Sequence, residues 1–308
     1  MPGRSLVAHR RRHLAGPLAL ALLAVLVLCG CSAHHGRASA DGPTPAPVPP
    51  SSSGSAGSPA AAPRFTRYVA IGDSYTAAPG VPGEQSDDGC LRSSGNYPHL
   101  LAAALPVARL VDVSCSGADT SDVRHPQLDR IAPQLDAVTR DTDLVTIGLG
   151  GNDEDLFHNL LVSCLARQSN ERAACSSFGS GVPSVLDGIE RNLVAVVRAV
   201  RTKAPAARVL LIGYPQVAPA GGRCAQRPLA NVGDPQGRQV NRGLTEAVRR
   251  AATATRATYV DVWTASAGHD LCAADPWIND LSGPGAAPFH PFAAEQAAVA
   301  RLVEAAVM

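Results

Sequence analysis

The sequence predicts an α/β fold, a three-layer α/β/α sandwich around a central five-stranded parallel sheet. Three observations lead to this prediction: apolar runs of strand length, amphipathic helical segments between them, and the regular alternation of the two. The runs are almost continuously hydrophobic, which is typical of strands that a parallel sheet buries on both faces. They are RYVAIG at 67–72, ARLVDV at 108–113, DLVTIG at 143–148, RVLLIG at 208–213 and ATYVDV at 257–262.

The segments between these runs have the period of amphipathic helices. The clearest predicted helix spans 184–201, and three others are predicted at 97–105, roughly 236–255, and from 291 to the C-terminus. The apolar face of the first consists of Leu186, Ile189, Leu193, Val196, Val197 and Val200. Right-handed crossovers between parallel strands would place such helices on both faces of the sheet. In folds of this kind ligands bind beyond the carboxyl ends of the strands.

The first 64 residues have the pattern of an export signal followed by a linker. Four arginines precede an apolar run from Leu14 to Leu28 that ends in LCGCS, and this run is short for a permanent membrane span. LCGC resembles a bacterial lipobox, in which Cys31 would be lipidated and become the mature N-terminus; ordinary cleavage nearby is the alternative. We therefore expect a signal peptide at 1–31, a disordered Pro/Ser/Gly-rich tether at 32–64, and a folded domain at 65–308.

Composition and cysteine usage narrow the functional classes. A net charge of +1 and an aromatic content of 4% argue against a nucleic-acid surface with a basic stripe and stacking rings. Two of the eight cysteines lie in the leader, at 29 and 31, and six lie in the folded part. An even number in an exported chain predicts three disulfides, although six cysteines allow 15 pairings. No CxxC pair occurs among the six, and we expect neither a metal nor a cofactor.

Polar motifs follow the first three predicted strands. The first strand ends in Gly-Asp-Ser at 72–74, where a serine can present both its hydroxyl and a backbone N–H, because the first N–H groups of a helix lack intrahelical partners. Taken alone, such a triplet also fits a turn or a helix N-cap. Gly117 in SCSGADT and Asn152 in GLGGND can offer N–H donors at the same edge. Together they predict a nucleophile, Ser74, with an oxyanion hole.

A serine nucleophile needs a base, and two histidines lie between the last strand and the last helix. His290 in APFHPF is the better placed, and His269 in AGHDLC is the second choice. We expect His99, His125 and His158 to be structural or solvated, because they lie in a helical pattern or in polar segments.

On these residues the sequence resembles the SGNH (GDSL) hydrolases, and more closely their secreted actinobacterial lipase and esterase branch. The resemblance covers nearly all of 65–308 and includes the six cysteines. Its motifs are GDS at 72–74, CLRSSGNYPHLLA at 90–102, the glycine of CSGA at 117, GGND at 150–153 and His-Pro at 290–291.

The resemblance implies a flavodoxin-like sandwich and carboxylic ester hydrolysis through an acyl-enzyme. Ser74 would be the nucleophile and His290 the base, with the Ser74 N–H, Gly117 and Asn152 forming the oxyanion hole. It also implies disulfides in sequential order. These would join Cys90 to Cys115, Cys164 to Cys175, and Cys224 to Cys272.

One position departs from the family pattern. The usual final block, DxxH, would place aspartate at 287, where this chain has Ala287. Loss of the correct histidine tautomer costs on the order of 10⁴ in rate in a serine triad. A backbone carbonyl of Ala287 or Pro288 could hold that tautomer, as in some members of the branch; Asp275 and Asp280 are the competing carboxylates. We therefore expect a Ser74–His290 dyad.

The resemblance favours a lipid or other small-molecule acyl ester as substrate. We also expect a monomer without a nucleic-acid partner. From the N-terminal pattern we expect it to be secreted, or held at the outer face of the cell membrane with membrane contact only through a lipid on Cys31. Three alternatives stay open: a polysaccharide O-acetyl esterase, a non-catalytic tethered lipoprotein that retains the fold, and an enzyme that transfers the acyl group to an alcohol acceptor. The insert at 154–182 carries Phe157, Leu160, Leu161 and Val162. These side chains would either line an acyl site or pack onto the sheet.

Overall fold

The computed structural model describes residues 64–127, 130–161, 164, 171–221, 224, 235–281 and 283–308, without the side chains of 171–178. The expected signal peptide with Cys31, and all but the last residue of the expected tether, lie outside these residues. Within the described ranges no helix has both the length and the apolar character needed to cross a bilayer.

Five parallel strands form one sheet in the order β2-β1-β3-β4-β5, which confirms the predicted architecture. Strands β1 and β3 end side by side, with Gly72 paired to Gly148. Strand β1 also lies next to β2, so the three strands that precede the polar motifs are adjacent in the sheet. The strands are β1 (Tyr68–Gly72), β2 (Leu110–Asp112), β3 (Leu144–Gly148), β4 (Arg208–Ile212) and β5 (Thr258–Val260).

Seven α-helices lie in the described ranges: α1 (Ser74–Ala77), α2 (Tyr97–Ala104), α3 (Leu156–Leu160), α4 (Glu171–Lys203), α5 (Pro235–Thr255), α6 (Val262–Ala265) and α7 (Ala293–Val307). The predicted start of the longest helix, at 184, was wrong, because α4 continues through Pro183. The prediction rested on the amphipathic period of 184–201; a proline removes a backbone donor and usually ends a helix, but α4 extends past it towards the N-terminus.

The two faces of the sheet are buried in separate cores. In β1, Val69 and Ile71 point into a core shared with α3, α4 and α5, whereas Tyr68 and Ala70 point into a core shared with α2 and α7. All four are fully buried. Burying one Val, Leu or Ile side chain stabilises a fold by about 1.5–3 kcal/mol, which explains why the strands need hydrophobic residues at consecutive positions.

The structure contains two of the three expected disulfides, Cys90–Cys115 and Cys224–Cys272, with Cα–Cα distances of 4.2 and 5.1 Å. The first disulfide joins the loop before α2 to the loop after β2. In the same place the Ser116 N–H donates to the Cys90 carbonyl at 2.9 Å. Cys164 is buried, but the side chain of Cys175 lies outside the described residues. That pairing stays a prediction.

Candidate active site

Ser74 is the first residue of α1, directly after β1. Asp73 caps this helix through a 2.8 Å hydrogen bond from the Tyr75 N–H to its carboxylate. The Asp73 N–H in turn donates to the Gly148 carbonyl at 2.9 Å, which ties the turn to the end of β3. Ser74 is 7% exposed, and its hydroxyl hydrogen-bonds to none of the described residues. Its side chain and backbone N–H are therefore both available at the carboxyl edge of the sheet.

Asn152 follows β3 and contacts the segment after β2. Its side-chain nitrogen, Nδ2, donates to the Ala118 carbonyl at 2.8 Å, so one of its two N–H groups stays unused by this contact. Gly117 has a left-handed φ of +81°, which a glycine adopts without strain. Two predicted members of the oxyanion hole, Gly117 and Asn152, are thus joined through Ala118.

A buried carboxylate holds the same two segments together. Asp153 accepts hydrogen bonds from the Thr120 N–H at 2.9 Å, from the Thr120 hydroxyl at 2.6 Å and from Asn192 Nδ2 at 3.0 Å. Burial raises the pKa of Asp153, and these donors oppose the rise. The charge-assisted bonds fix the residue next to Asn152 against the loop after β2.

His290 lies against Tyr75, the residue that follows Ser74. Its ring centroid is 5.7 Å from that of Tyr75, whose hydroxyl donates to the Phe289 carbonyl at 2.9 Å. His290 Nδ1 lies 2.7 Å from the Pro288 carbonyl oxygen. The Ala287 carbonyl accepts from the His290 backbone N–H instead, at 3.1 Å. When the Nδ1–H donates to this carbonyl oxygen, the Nε2 lone pair is free to accept a proton.

The environment of His290 favours the neutral ring. Burial lowers the pKa of this histidine below its usual 6.5, and the contact with the Pro288 carbonyl opposes the shift. Neutral imidazole is the form that can act as a general base.

The second histidine candidate has its own partners. His269 Nδ1 lies 2.7 Å from the Asp275 carbonyl oxygen, and its ring stacks on Trp277 at 4.5 Å. Asp280 is buried and accepts from the Gly283 N–H at 3.2 Å. Neither competing carboxylate accepts the Nδ1 proton of His290, because the Pro288 carbonyl does. Of the other histidines, His125 and His158 are exposed, as predicted.

The sequence reasoning missed a hydrogen-bonded bridge below the site. The Gly151 N–H donates to the Tyr214 hydroxyl at 2.9 Å, and that hydroxyl donates to Asp73 Oδ2 at 2.5 Å. Burial raises the pKa of Asp73 to about 7, although the Tyr214 hydroxyl and the Tyr75 N–H oppose the shift. Tyr214 stands two residues after β4, so the position of GYP after the fourth apolar run was the signal that could have found it.

Gln134 is a second residue that the sequence did not single out. Its side-chain amide accepts from the Gly72 N–H at 2.8 Å and donates to the Gly72 carbonyl at 3.0 Å. A side chain at Gly72 would collide with Thr76, whose Oγ1 would lie 2.2 Å from an added Cβ. Gly72, at the start of the GDS turn, is therefore fixed by hydrogen bonds to Gln134 and by close packing against Thr76.

Comparison with known proteins identifies the family. The profile of the GDSL-like Lipase/Acylhydrolase family matches residues 70–298. The chain belongs to this family. Like its relatives it is a carboxylic ester hydrolase of the lipase and esterase type. The part of the chain that the structure describes contains no cluster of three or more His, Cys, Asp or Glu side chains that could hold a metal ion.

The relatives of this GDSL hydrolase include several Streptomyces lipases. It is 42% identical over 252 residues to Lipase 2 of Streptomyces coelicolor, covering 76% of this chain and 83% of that one. The crystal structure of an extracellular lipase from Streptomyces rimosus matches with a TM-score of 0.67 and 32% identity, over 78% and 99% of the two chains. A phospholipase A1 from Streptomyces albidoflavus matches with a TM-score of 0.66 and 30% identity, at the same coverage.

In this GDSL hydrolase the described apolar side chains of the insert are buried in the core that one face of the sheet shares with α4 and α5. Phe157 and Leu160 are buried, and the Phe157 ring stacks on Tyr75 at 5.1 Å. Leu161 packs against the core as a half-buried residue, and Val162 lies outside the described residues. The expectation that Phe157 and Leu160 line an acyl site is not supported, because aromatic and aliphatic neighbours already cover these side chains.

A buried acid at the start of α7 lies behind Tyr75. Gln296 Nε2 donates to the Tyr75 carbonyl at 2.9 Å and to Glu295 Oε2 at 2.8 Å. Burial raises the pKa of Glu295 from 4.5 to about 8, and the bond from Gln296 opposes the rise. Folded protein therefore keeps this proton up to about pH 8, whereas an unfolded chain loses it near pH 4.5.

The free energy of unfolding should fall as pH rises between these two values, because the folded state binds more protons than the unfolded state. We expect Glu295→Gln to remove this part of the pH dependence, so that the variant loses less stability than wild type between pH 5 and pH 8. Urea denaturation at pH 5 and pH 8 measures the free energy of unfolding of both proteins. Glu304→Gln, on the same helix and half-buried, is the control and should keep the wild-type slope. A Glu295→Gln slope equal to that of wild type would contradict the expectation.

Proposed function

We propose that this protein is an exported lipase or esterase that hydrolyses carboxylic esters through a Ser74–His290 dyad and an acyl-enzyme. The Pro288 carbonyl orients the imidazole. The oxyanion hole consists of the Ser74 and Gly117 N–H groups and the side-chain amide of Asn152.

One observation carries this proposal: a serine at a helix start, an amide donor and a neutral imidazole lie at one edge of the sheet. The imidazole has its Nδ1 directed to a carbonyl and packs against Tyr75, next to Ser74. Ser74 Oγ has no hydrogen bond to His290 Nε2 in this structure. Catalytic hydrogen bonds are often long without substrate and shorten in the reacting complex, so this geometry fits the proposal.

The reaction follows from these positions. Ser74 Oγ attacks the ester carbonyl carbon while its proton passes to His290 Nε2, and the oxyanion is stabilised by the three donors. The C–O bond to the alcohol then breaks, and the alcohol leaves with the proton from His290. Water, deprotonated by His290, attacks the acyl-enzyme and releases the carboxylic acid and the free Ser74 hydroxyl.

The acid limb of the pH–rate profile should report the state of His290. Because burial lowers its pKa below 6.5, we expect kcat/KM to rise with pH and to reach its plateau with a midpoint below 6.5. The measurement is initial rate on a short-chain ester from pH 4 to pH 8. Asp73→Asn is the control, since it removes the nearby group whose pKa is raised to about 7. A midpoint above 6.5 in both proteins would contradict the assignment.

The substrate is proposed to be a lipid or simple acyl ester, because Streptomyces lipases and a phospholipase A1 are among the relatives. The test is a series of p-nitrophenyl esters from acetyl to palmitoyl, together with an acetylated polysaccharide. Turnover of the longer esters supports a lipase. Turnover confined to the polysaccharide would instead favour an O-acetyl esterase. A p-nitrophenyl phosphonate should label Ser74, as identified by mass spectrometry of the modified peptide.

We also propose export with an N-terminal lipid on Cys31. The two disulfides of the described domain suit an oxidising compartment, and the Streptomyces rimosus relative is an extracellular lipase. Mass spectrometry of the membrane fraction should find a mature chain that begins at lipidated Cys31. An unmodified N-terminus at another residue would refute the anchor.

A further inference from the structure

The turn that carries Ser74 and the turn that carries Asn152 are joined by one buried side chain. Tyr214 is 2% exposed and Asp73 is 1% exposed, and no charged side chain other than Asp73 hydrogen-bonds to this tyrosine among the described residues. The Tyr214 hydroxyl accepts from the Gly151 N–H and donates to Asp73. Gly151 directly precedes Asn152, and Asp73 directly precedes Ser74.

We propose that Tyr214 is a positioning residue for ester hydrolysis, because its hydroxyl sets the distance between the Ser74 turn and the Asn152 turn. The proposal rests on the proposed roles of Ser74 and Asn152. Tyr214 does not touch substrate; it acts through Asp73 and Gly151, which are the neighbours of those two residues.

The bridge is suited to this role because its middle member is rigid. The Tyr214 ring packs edge-on against Tyr75 at 5.4 Å and against Phe157 at 5.2 Å. Its backbone N–H donates to the Thr245 hydroxyl at 3.2 Å, which connects it to α5. A hydroxyl held by two aromatic contacts and a backbone anchor can hold its two partners at a fixed separation.

Gly151 is confined between the Tyr214 hydroxyl, which accepts from its N–H, and the Phe157 ring. An added Cβ at this position would lie 2.3 Å from the Phe157 ring, so the backbone is pressed against an aromatic side chain and needs glycine. The Gly151 N–H is buried, and loss of its acceptor would leave it unpaired. The turn would then shift to find another partner, and Asn152 would move with it.

The test compares two buried tyrosines that differ in location. Tyr214→Phe removes the bridging hydroxyl. Tyr68→Phe is the matched control, because Tyr68 is fully buried, its hydroxyl bonds Thr146 at 2.8 Å, and it lies at the opposite end of β1. Both variants should lose thermal stability, and Tyr214→Phe should lose more, because it removes two buried hydrogen bonds and Tyr68→Phe removes one.

We expect only Tyr214→Phe to lower kcat, by about tenfold to a hundredfold, with KM within about twofold of wild type, because misplaced groups act on the transition state. Inhibition by an alkylboronic acid, whose adduct with the serine needs the oxyanion donors, should weaken by a similar factor. Equal kcat values in Tyr214→Phe and Tyr68→Phe would overturn the proposal.

A second variant keeps the test decisive if Tyr214→Phe folds poorly. Asp73→Asn keeps an acceptor for the Tyr75 N–H but removes the acceptor of the Tyr214 hydroxyl. We expect a similar loss of kcat, and a double variant no worse than the more impaired single variant, because both changes break one bridge. Strictly additive losses would overturn the proposal.

A readout without catalysis separates this inference from the proposed function. Hydrogen exchange followed by mass spectrometry should show faster exchange of the 148–156 segment in Tyr214→Phe and no change there in Tyr68→Phe. If Ser74→Ala stays active, the proposed function is wrong, but the exchange experiment still tests whether Tyr214 holds the Asn152 turn in place. Unchanged exchange of that segment in Tyr214→Phe would refute the positioning role.

Discussion

Ser74→Ala should abolish ester hydrolysis while leaving the fold intact. Loss of a serine nucleophile costs on the order of 10⁶ in kcat in a well-studied serine hydrolase, and we expect a fall of at least about 10⁴ here. The Ser74 hydroxyl hydrogen-bonds to none of the described residues, so its removal should change the free energy of unfolding by less than about 0.5 kcal/mol. Initial rates on p-nitrophenyl butyrate and urea denaturation measure the two effects.

Ser116→Ala is the matched control for this experiment. Ser116 lies in the neighbouring loop, and its buried hydroxyl likewise has no partner among the described residues. This variant should keep kcat within about twofold of wild type, because it changes a hydroxyl of the same kind outside the reacting group. If Ser74→Ala kept a tenth or more of the wild-type rate, Ser74 would not be the nucleophile.

His290→Ala should be nearly as damaging as loss of the serine. In the proposed mechanism the imidazole removes the Ser74 proton and delivers it to the leaving alcohol, and removing such a base costs on the order of 10⁶ in kcat in a serine hydrolase. We expect a fall of at least about 10³ to 10⁴, since proton transfer by a positioned side chain contributes up to about 10⁴. Part of the rate should return on addition of free imidazole.

His269→Ala distinguishes the two histidines of this loop. His269 is held by the Asp275 carbonyl and by stacking on Trp277, so its loss should affect local stability more than rate. Steady-state kinetics of both variants on the same ester measure the difference. A large loss of kcat in His269→Ala with an active His290→Ala would reverse the assignment.

Much of the fold could be predicted from local pattern. Strands β1 and β3 are fully buried, whereas the outer strands β2 and β5 are largely half-buried. All five are short, mainly apolar runs, and the period changes to that of a helix in the segments between. The predicted strands therefore agree with the structure to within a few residues. The boundary of α4 was not predictable in this way, because packing of its apolar face against the sheet and α5 outweighs the cost of Pro183.

Part of the candidate site could also be predicted from local pattern, and part depends on tertiary contacts. Ser74, Gly117 and Asn152 follow the ends of three strands, and parallel strands end at a common edge whatever their order in the sheet. Their meeting could therefore be expected from sequence. The choice between the Ala287 and Pro288 carbonyls could not, since it depends on how one short loop turns and on which oxygen Nδ1 faces.

Local sequence is enough to predict which strand ends carry Ser74, Gly117 and Asn152, because strand and helix periods and the placement of glycine are properties of neighbouring residues. How those residues are held depends on contacts between distant parts of the chain. The bond between Asp73 and Tyr214 joins residues 141 positions apart, and the pair has no signature in either local segment. Burial of that carboxylate, which raises its pKa to about 7, likewise arises from packing between strands and helices and not from its own neighbours in the chain.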